Sequence, residues 1–199
     1  DTLRLLTVAF GMYGSNSKNY GDGFTTMYGT NHEDIAYSYR TGNHGDGSWY
    51  SINGNIDYQR TSRKNKQRMI TFSYKINTQP QTSNSNTGYE DIHAKEEVDD
   101  LVKRLLLKNS QSDGKTNTME QTFQVDYTTP IGELHTVEAG AKYIFRCNTS
   151  DNKLYEAAGG SDDYLYNEDR SSDYRHLNHI LAAYLGYTLK YKDFTFKPG

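Results

Sequence analysis

Apolar and polar side chains alternate one by one through several stretches of this chain, the pattern of a strand with two unlike faces. Between Trp49 and Gln59, one face carries Tyr50, Ile52, Gly54, Ile56 and Tyr58, and the other Ser51, Asn53, Asn55, Asp57 and Gln59. Past a polar turn at 62–66 the alternation resumes, with Ile70, Phe72, Tyr74 and Ile76 against Thr71, Ser73, Lys75 and Asn77. A second hairpin is predicted over 115–128 and 134–146. It sets Phe123, Val125 and Tyr127 with Val137, Ala139, Ala141, Tyr143 and Phe145, and turns at Thr129-Pro130-Ile131-Gly132, where proline presets φ and glycine is permissive. A third begins at His179, carries Leu181, Ala183, Leu185, Tyr187 and Leu189 on one side, turns at 191–193 and sets out again at Phe194. The fold expected is all-β, an antiparallel meander of long hairpins.

Connections alternate in length: short at 62–66, 129–133 and 191–193, long and polar at 78–114 and 147–173. Transmembrane barrels have this asymmetry of short turns on one side and long loops on the other. Strands of about 9–11 residues suffice to cross a bilayer, and each alternating segment reaches that length. One stretch departs from period 2. Val98, Leu101, Val102, Leu105 and Leu106 recur at helical spacing, and Asp99 with Lys103 and Asp100 with Arg104 place acid before base four apart, predicting one short helix in a long loop. A strand through Val102 to Leu107 is the alternative, since so short an apolar run does not settle its period. The Ser/Asn-rich tract Thr82–Gly88 reads as loop.

Composition narrows the function classes. Net charge is −3 with acids and bases interspersed, so no basic footprint for nucleic acid is present. Tyrosine is abundant at 18 residues, which suits strands at an apolar–water boundary. The apolar run from Leu5 to Phe10 falls far short of the roughly 20 residues a spanning helix needs, so any crossing is by strands. Cys147 is the single cysteine and allows no internal disulfide.

Candidate chemistry is sparse. His176 and His179 form an H-x-x-H without a glutamate or cysteine partner at ligand spacing, and read as strand-end histidines. Asn43–Gly47 and Ser161–Asp163 offer oxygen ligands and tight turns for calcium but match no EF-hand loop. The carboxylates Asp57, Glu120, Asp126 and Glu138 read as a solvated strand face rather than a hydrolytic pair. No G-x-S-x-G elbow is found, Cys147 lacks a neighbouring base, and Gly21-Asp22-Gly23 is not followed by a helix pattern. Neither an enzyme nor a cofactor is expected.

Three ordered blocks carry a resemblance: TFQVDYTTP at 122–130, HTVEAGAKY at 135–143 with Arg146, and HILAAY at 179–184 running on to FKPG at 196–199. Together they resemble the outer-membrane β-barrel family of TonB-dependent receptors. The likeness is strongest over 115–199, weaker over 49–80, and hardly usable before residue 45. It implies a large barrel in the Gram-negative outer membrane, closed around a plug domain and importing a nutrient with energy delivered by TonB. No plug segment or TonB-box region is recognised in the chain, and its strands are about half what such a barrel needs, so residues 1–199 are expected to be a partial barrel from a longer parent.

On this reading Glu120, Gln124, Asp126, Glu138, Lys142 and Arg146 face the lumen, while Phe123, Val125, Tyr127, Tyr143, Phe145, Leu185 and Tyr187 face lipid. In water the apolar face is expected to be covered, because exposed apolar patches of that size are rare: by curling into a core capped by the stripe from Val98 to Leu106, the favoured course, or by two copies packing face to face. The alternative from another class is a soluble β-sandwich that binds carbohydrate or a host surface through Tyr, Trp49 and Asn-rich loops. Mean hydropathy of −0.90 leans that way, and the resemblance decides for the barrel.

Overall fold

The computed structural model describes residues 3–29, 34–96, 99–103 and 107–197. All strands belong to one antiparallel sheet: β1 Arg4–Tyr28, β2 Ile35–Thr61, β3 Met69–Ala94, β4 Lys108–Ile131, β5 His135–Ala158, β6 Leu165–Tyr166, β7 Ser172–Tyr191 and β8 Phe194–Phe196. Spatial order follows chain order, β1-β2-β3-β4-β5-β7-β8, with the two-residue β6 pairing beside β5. This is the meander that the alternation predicts. In the central hairpin Phe123 lies opposite Tyr143 and Val125 opposite Ala141, so these residues share a face. Pro130 and Ile131 stay in the ladder, and the chain turns after them at Gly132, whose φ of 65° is open to glycine at no steric cost.

The strands are much longer than alternation suggests. β1 to β5 run 24–27 residues each, roughly 80–90 Å at about 3.3 Å per residue. The stretches 78–94, 108–114 and 147–158, expected as loop, are strand, as is Thr82–Gly88, which pairs with β2 on one side and β4 on the other. Asn43–Gly47 is likewise extended strand within β2 rather than a turn. The reason is physical. Both faces are polar there, so hydrophobic alternation is silent, and cross-strand pairing decides. Side-chain bonds between strands reinforce it: Ser48 with Thr82 at 2.8 Å, Thr87 to Asn43 at 2.9 Å and Asn84 to Asp46 at 3.2 Å.

The connections at one end are short: Ser62–Arg68, Gly132–Leu134 and Lys192–Asp193. Those at the other end join the far ends of the long hairpins. The predicted helix is a single turn, α1 Asp99–Leu101, with Lys103 Nζ donating to Asp99 Oδ2 at 3.0 Å. Val98, Arg104, Leu105 and Leu106 of the expected stripe and ion pairs lie outside the described residues.

The apolar face does not curl into a core. Among the described residues the buried apolar side chains are Val102, Leu107 and Ala157, and all three sit at the hairpin tips. Gly159 N donates to Lys103 O, Leu107 N to Val102 O and Gly160 N to Tyr89 O, while Asn109 bridges Tyr89 N and Ser161 O. The tips of neighbouring hairpins are thus knitted together far from the apolar band, which corrects the expectation that the stripe would cap it. Leu185 is 76% exposed, and Tyr143 and Tyr187 are exposed too. A sandwich would need a second sheet on that face. All described strands lie in one sheet.

Candidate functional site

Because cross-strand partners in an antiparallel sheet point the same way, the register assigns every side chain to a face. One face carries an apolar band: Leu6, Val8, Phe10 and Met12 on β1, meeting Tyr58, Ile56 and Ile52 on β2, then Phe72, Tyr74 and Ile76 on β3. It continues through Phe123, Val125 and Tyr127 on β4 and Val137, Tyr143 and Phe145 on β5, to Leu181, Leu185 and Tyr187 on β7. All seven residues expected on an apolar face lie in it. On β5 and β7 the band is framed by two histidine–tyrosine pairs, His135 Nδ1 with Tyr187 Oη near the short turns and His179 Nδ1 with Tyr143 Oη at 2.7 Å above. From His135 to Phe145 the band runs about 33 Å along the strand, a length that matches the outward apolar band of a transmembrane barrel, whose strands tilt by roughly 45°.

The opposite face is polar across the same rows, and Glu120, Gln124, Asp126, Glu138, Lys142 and Arg146 all lie on it. Acids and bases are mixed on it, and several are engaged by a neighbouring side chain. Arg146 Nε donates to Glu120 Oε2 across the β4–β5 pair, Lys197 Nζ to Glu138 Oε2 at 2.9 Å, and Asn55 Nδ2 to Asp57 Oδ2 at 2.6 Å. A recess of 460 Å³ lies at mid-height, with Lys75 and Lys142 among its lining residues beside Asn55, Thr122 and Gln124. A hydrated wall of mixed charge can pass or hold polar solutes.

Asp126 is more than a solvated carboxylate. Tyr184 Oη donates to its Oδ1 at 2.7 Å and Gln124 Nε2 to its Oδ2 at 2.8 Å. Between Asp126 and Tyr184 in the same row stands Gly140. A Cβ there would come within 2.3 Å of Tyr184 Cε1 and 2.6 Å of Asp126 Oδ1, so the tyrosine ring lies across the glycine to reach the carboxylate. Sequence reasoning placed Asp126 on the right face and missed Tyr184, although its parity with Ala182 and Gly186, opposite Leu185, was available as a signal. Trp49, expected as part of a ligand platform only in the soluble sandwich, lies on the polar face of this sheet, where Tyr13, not singled out from the sequence, meets it edge-on.

The metal candidates fare differently. With a period of 2, residues three apart in a strand point to opposite faces, so His176 and His179 do not converge. Asn43–Gly47, extended in β2, alternates its side chains between faces in the same way. Outside the band, Glu156 anchors the loop beyond β5. The Asn167 amide and the charges of Lys108 and Arg170 hold its carboxyl below the usual glutamate range, against the opposing effect of burial.

The model of an outer membrane protein beta-barrel family matches residues 62–199. No curated protein matches the sequence. Since the match spans more than half of the chain, and covers the two-faced band from β3 onward, this chain belongs to that outer membrane protein beta-barrel family and resides in the outer membrane of a Gram-negative cell.

Proposed function

We propose that this chain forms an arc of the barrel wall of a TonB-dependent outer-membrane receptor that takes up a nutrient. Glu120, Gln124, Asp126, Glu138, Lys142 and Arg146 face its lumen, and Phe123, Val125, Tyr127, Tyr143, Phe145, Leu185 and Tyr187 meet lipid. The observation that carries the reading is the apolar band from His135 to Phe145, long enough to cross a bilayer as a tilted strand, backed by a polar face that carries charges of both signs. The sheet is open, since β1 and β8 do not pair. A bilayer tolerates no open strand edge, so further strands close the wall in the parent. The plug domain and the TonB system act through that same parent.

The test uses single cysteines in the full-length parent inserted into vesicles, with Cys147 and any other native cysteine replaced by serine. A fluorophore at Val125→Cys or Leu185→Cys is expected to be quenched by brominated lipid, and one at Gln124→Cys or Lys142→Cys by aqueous iodide. The reverse pattern rejects the assignment of faces. For energy coupling, the full-length parent is expected to cross-link to purified TonB C-terminal domain; its failure to do so rejects the TonB part alone.

A further inference from the structure

Above the charged part of the polar face lies a patch of different chemistry. Trp49, the single tryptophan, would ordinarily be expected to anchor a barrel on its lipid side. Here it points the other way, 45% exposed, with Tyr13 in the neighbouring strand meeting it at 5.7 Å and 86°. The two perpendicular rings form one corner of a 220 Å³ recess whose other walls are Gln79, Gln81, Thr116 and Thr118. No charged residue lines it. Lower on this face Arg146 bonds to Glu120, Tyr184 to Asp126 and Asn55 to Asp57. The indole N–H of Trp49, the amides of Gln79 and Gln81 and the hydroxyls of Thr116 and Thr118 hydrogen-bond to no other side chain. In the same register row Asn148, opposite Thr118, holds a shielded Oδ1 without a partner. The floor is altered as well. Pro80 lacks an N–H, and the β2–β3 ladder lapses at Tyr50 and Ser51 while keeping its register on both sides.

We infer that this patch is a binding subsite for a neutral saccharide, a ring of which stacks on Trp49 and Tyr13 while its hydroxyls bond to Gln79, Gln81, Thr116 and Thr118. A pyranose ring presents a C–H face that suits an aromatic platform and a rim of hydroxyls that suits uncharged amides and hydroxyls. An anionic solute would find no cation in the recess, and a purely apolar one would strand the amides. The inference rests on the proposed reading that the polar face looks into the lumen.

Trp49 is its own reporter. In vesicles containing the full-length parent, with any other tryptophan replaced by phenylalanine, its fluorescence is expected to be quenched by acrylamide and spared by brominated lipid. Quenching by brominated lipid would overturn the lumen reading, and this inference with it. Linear malto-, cello- and xylo-oligosaccharides, titrated into the tens of millimolar, are expected to shift its emission saturably and to protect it from acrylamide. Accessibility to acrylamide with no protection by any of the three series would overturn the saccharide inference and leave the lumen reading standing. A Gln79→Ala/Gln81→Ala variant, which keeps the reporter, is expected to weaken the titration about tenfold with the free-state emission unchanged. Unchanged affinity in that variant would also overturn the inference.

Discussion

Gly140 works by having no side chain. The Tyr184 ring occupies the space above it, and the phenol reaches Asp126 on the far strand, so one missing Cβ links β4, β5 and β7. Alanine at this position must displace the ring, at an expected cost of about 1–3 kcal/mol, read from urea unfolding in detergent. Tyr184→Phe keeps the packing and loses one exposed hydrogen bond, about 0.5 kcal/mol. The two effects are coupled, so Gly140→Ala should cost much less in a Tyr184→Ala background. An equal cost in both backgrounds would remove the ring from the explanation. In the sequence this contact was invisible, because its three residues lie in different strands and nothing but the register brings them into one row.

Turns and strands divide by how the chain reveals them. Lys192 holds a φ of 53° at the start of the two-residue turn between β7 and β8, while Gly132 holds 65° in the turn before β5. Left-handed backbone costs a side chain about 1 kcal/mol. Lys192→Gly should therefore stabilise the chain by about 0.5 kcal/mol after the added freedom of the unfolded glycine, whereas Gly132→Ala should destabilise it by about 1 kcal/mol. Thermal midpoints that move in the same direction for both would contradict this. At the tips, Glu156 joins β4 to the loop after β5 through Lys108, Asn167 and Arg170. Its folded carboxyl titrates below the ordinary value of 4.5, so its contribution is complete above that pH and is lost as pH falls through the lowered value. Glu156→Gln should flatten the acid limb of a stability profile, and an acid limb as steep as that of the parent would exclude the role. Alternation made β4, β5, β7 and the lower halves of β2 and β3 legible wherever one face was apolar. β1, whose run Leu3–Phe10 looked merely apolar, and every strand above the band stayed hidden, because polar residues on both faces carry no period for a reader to detect.

At the scale of the molecule, the sheet has little interior of its own. It carries an apolar band on one face and charges on the other, and among the described residues the few buried apolar side chains gather at the tips. Above the band, the strands continue for up to about 50 Å as paired ribbon, estimated from Met12 to Tyr28 at about 3.3 Å per residue. That height is held by backbone hydrogen bonds, which every residue except proline supplies alike. Side chains on the ribbons can therefore be exchanged over generations with little change of shape. The ribbons beyond the band can thus present new side-chain surfaces row by row, while the paired backbone that carries them keeps its form.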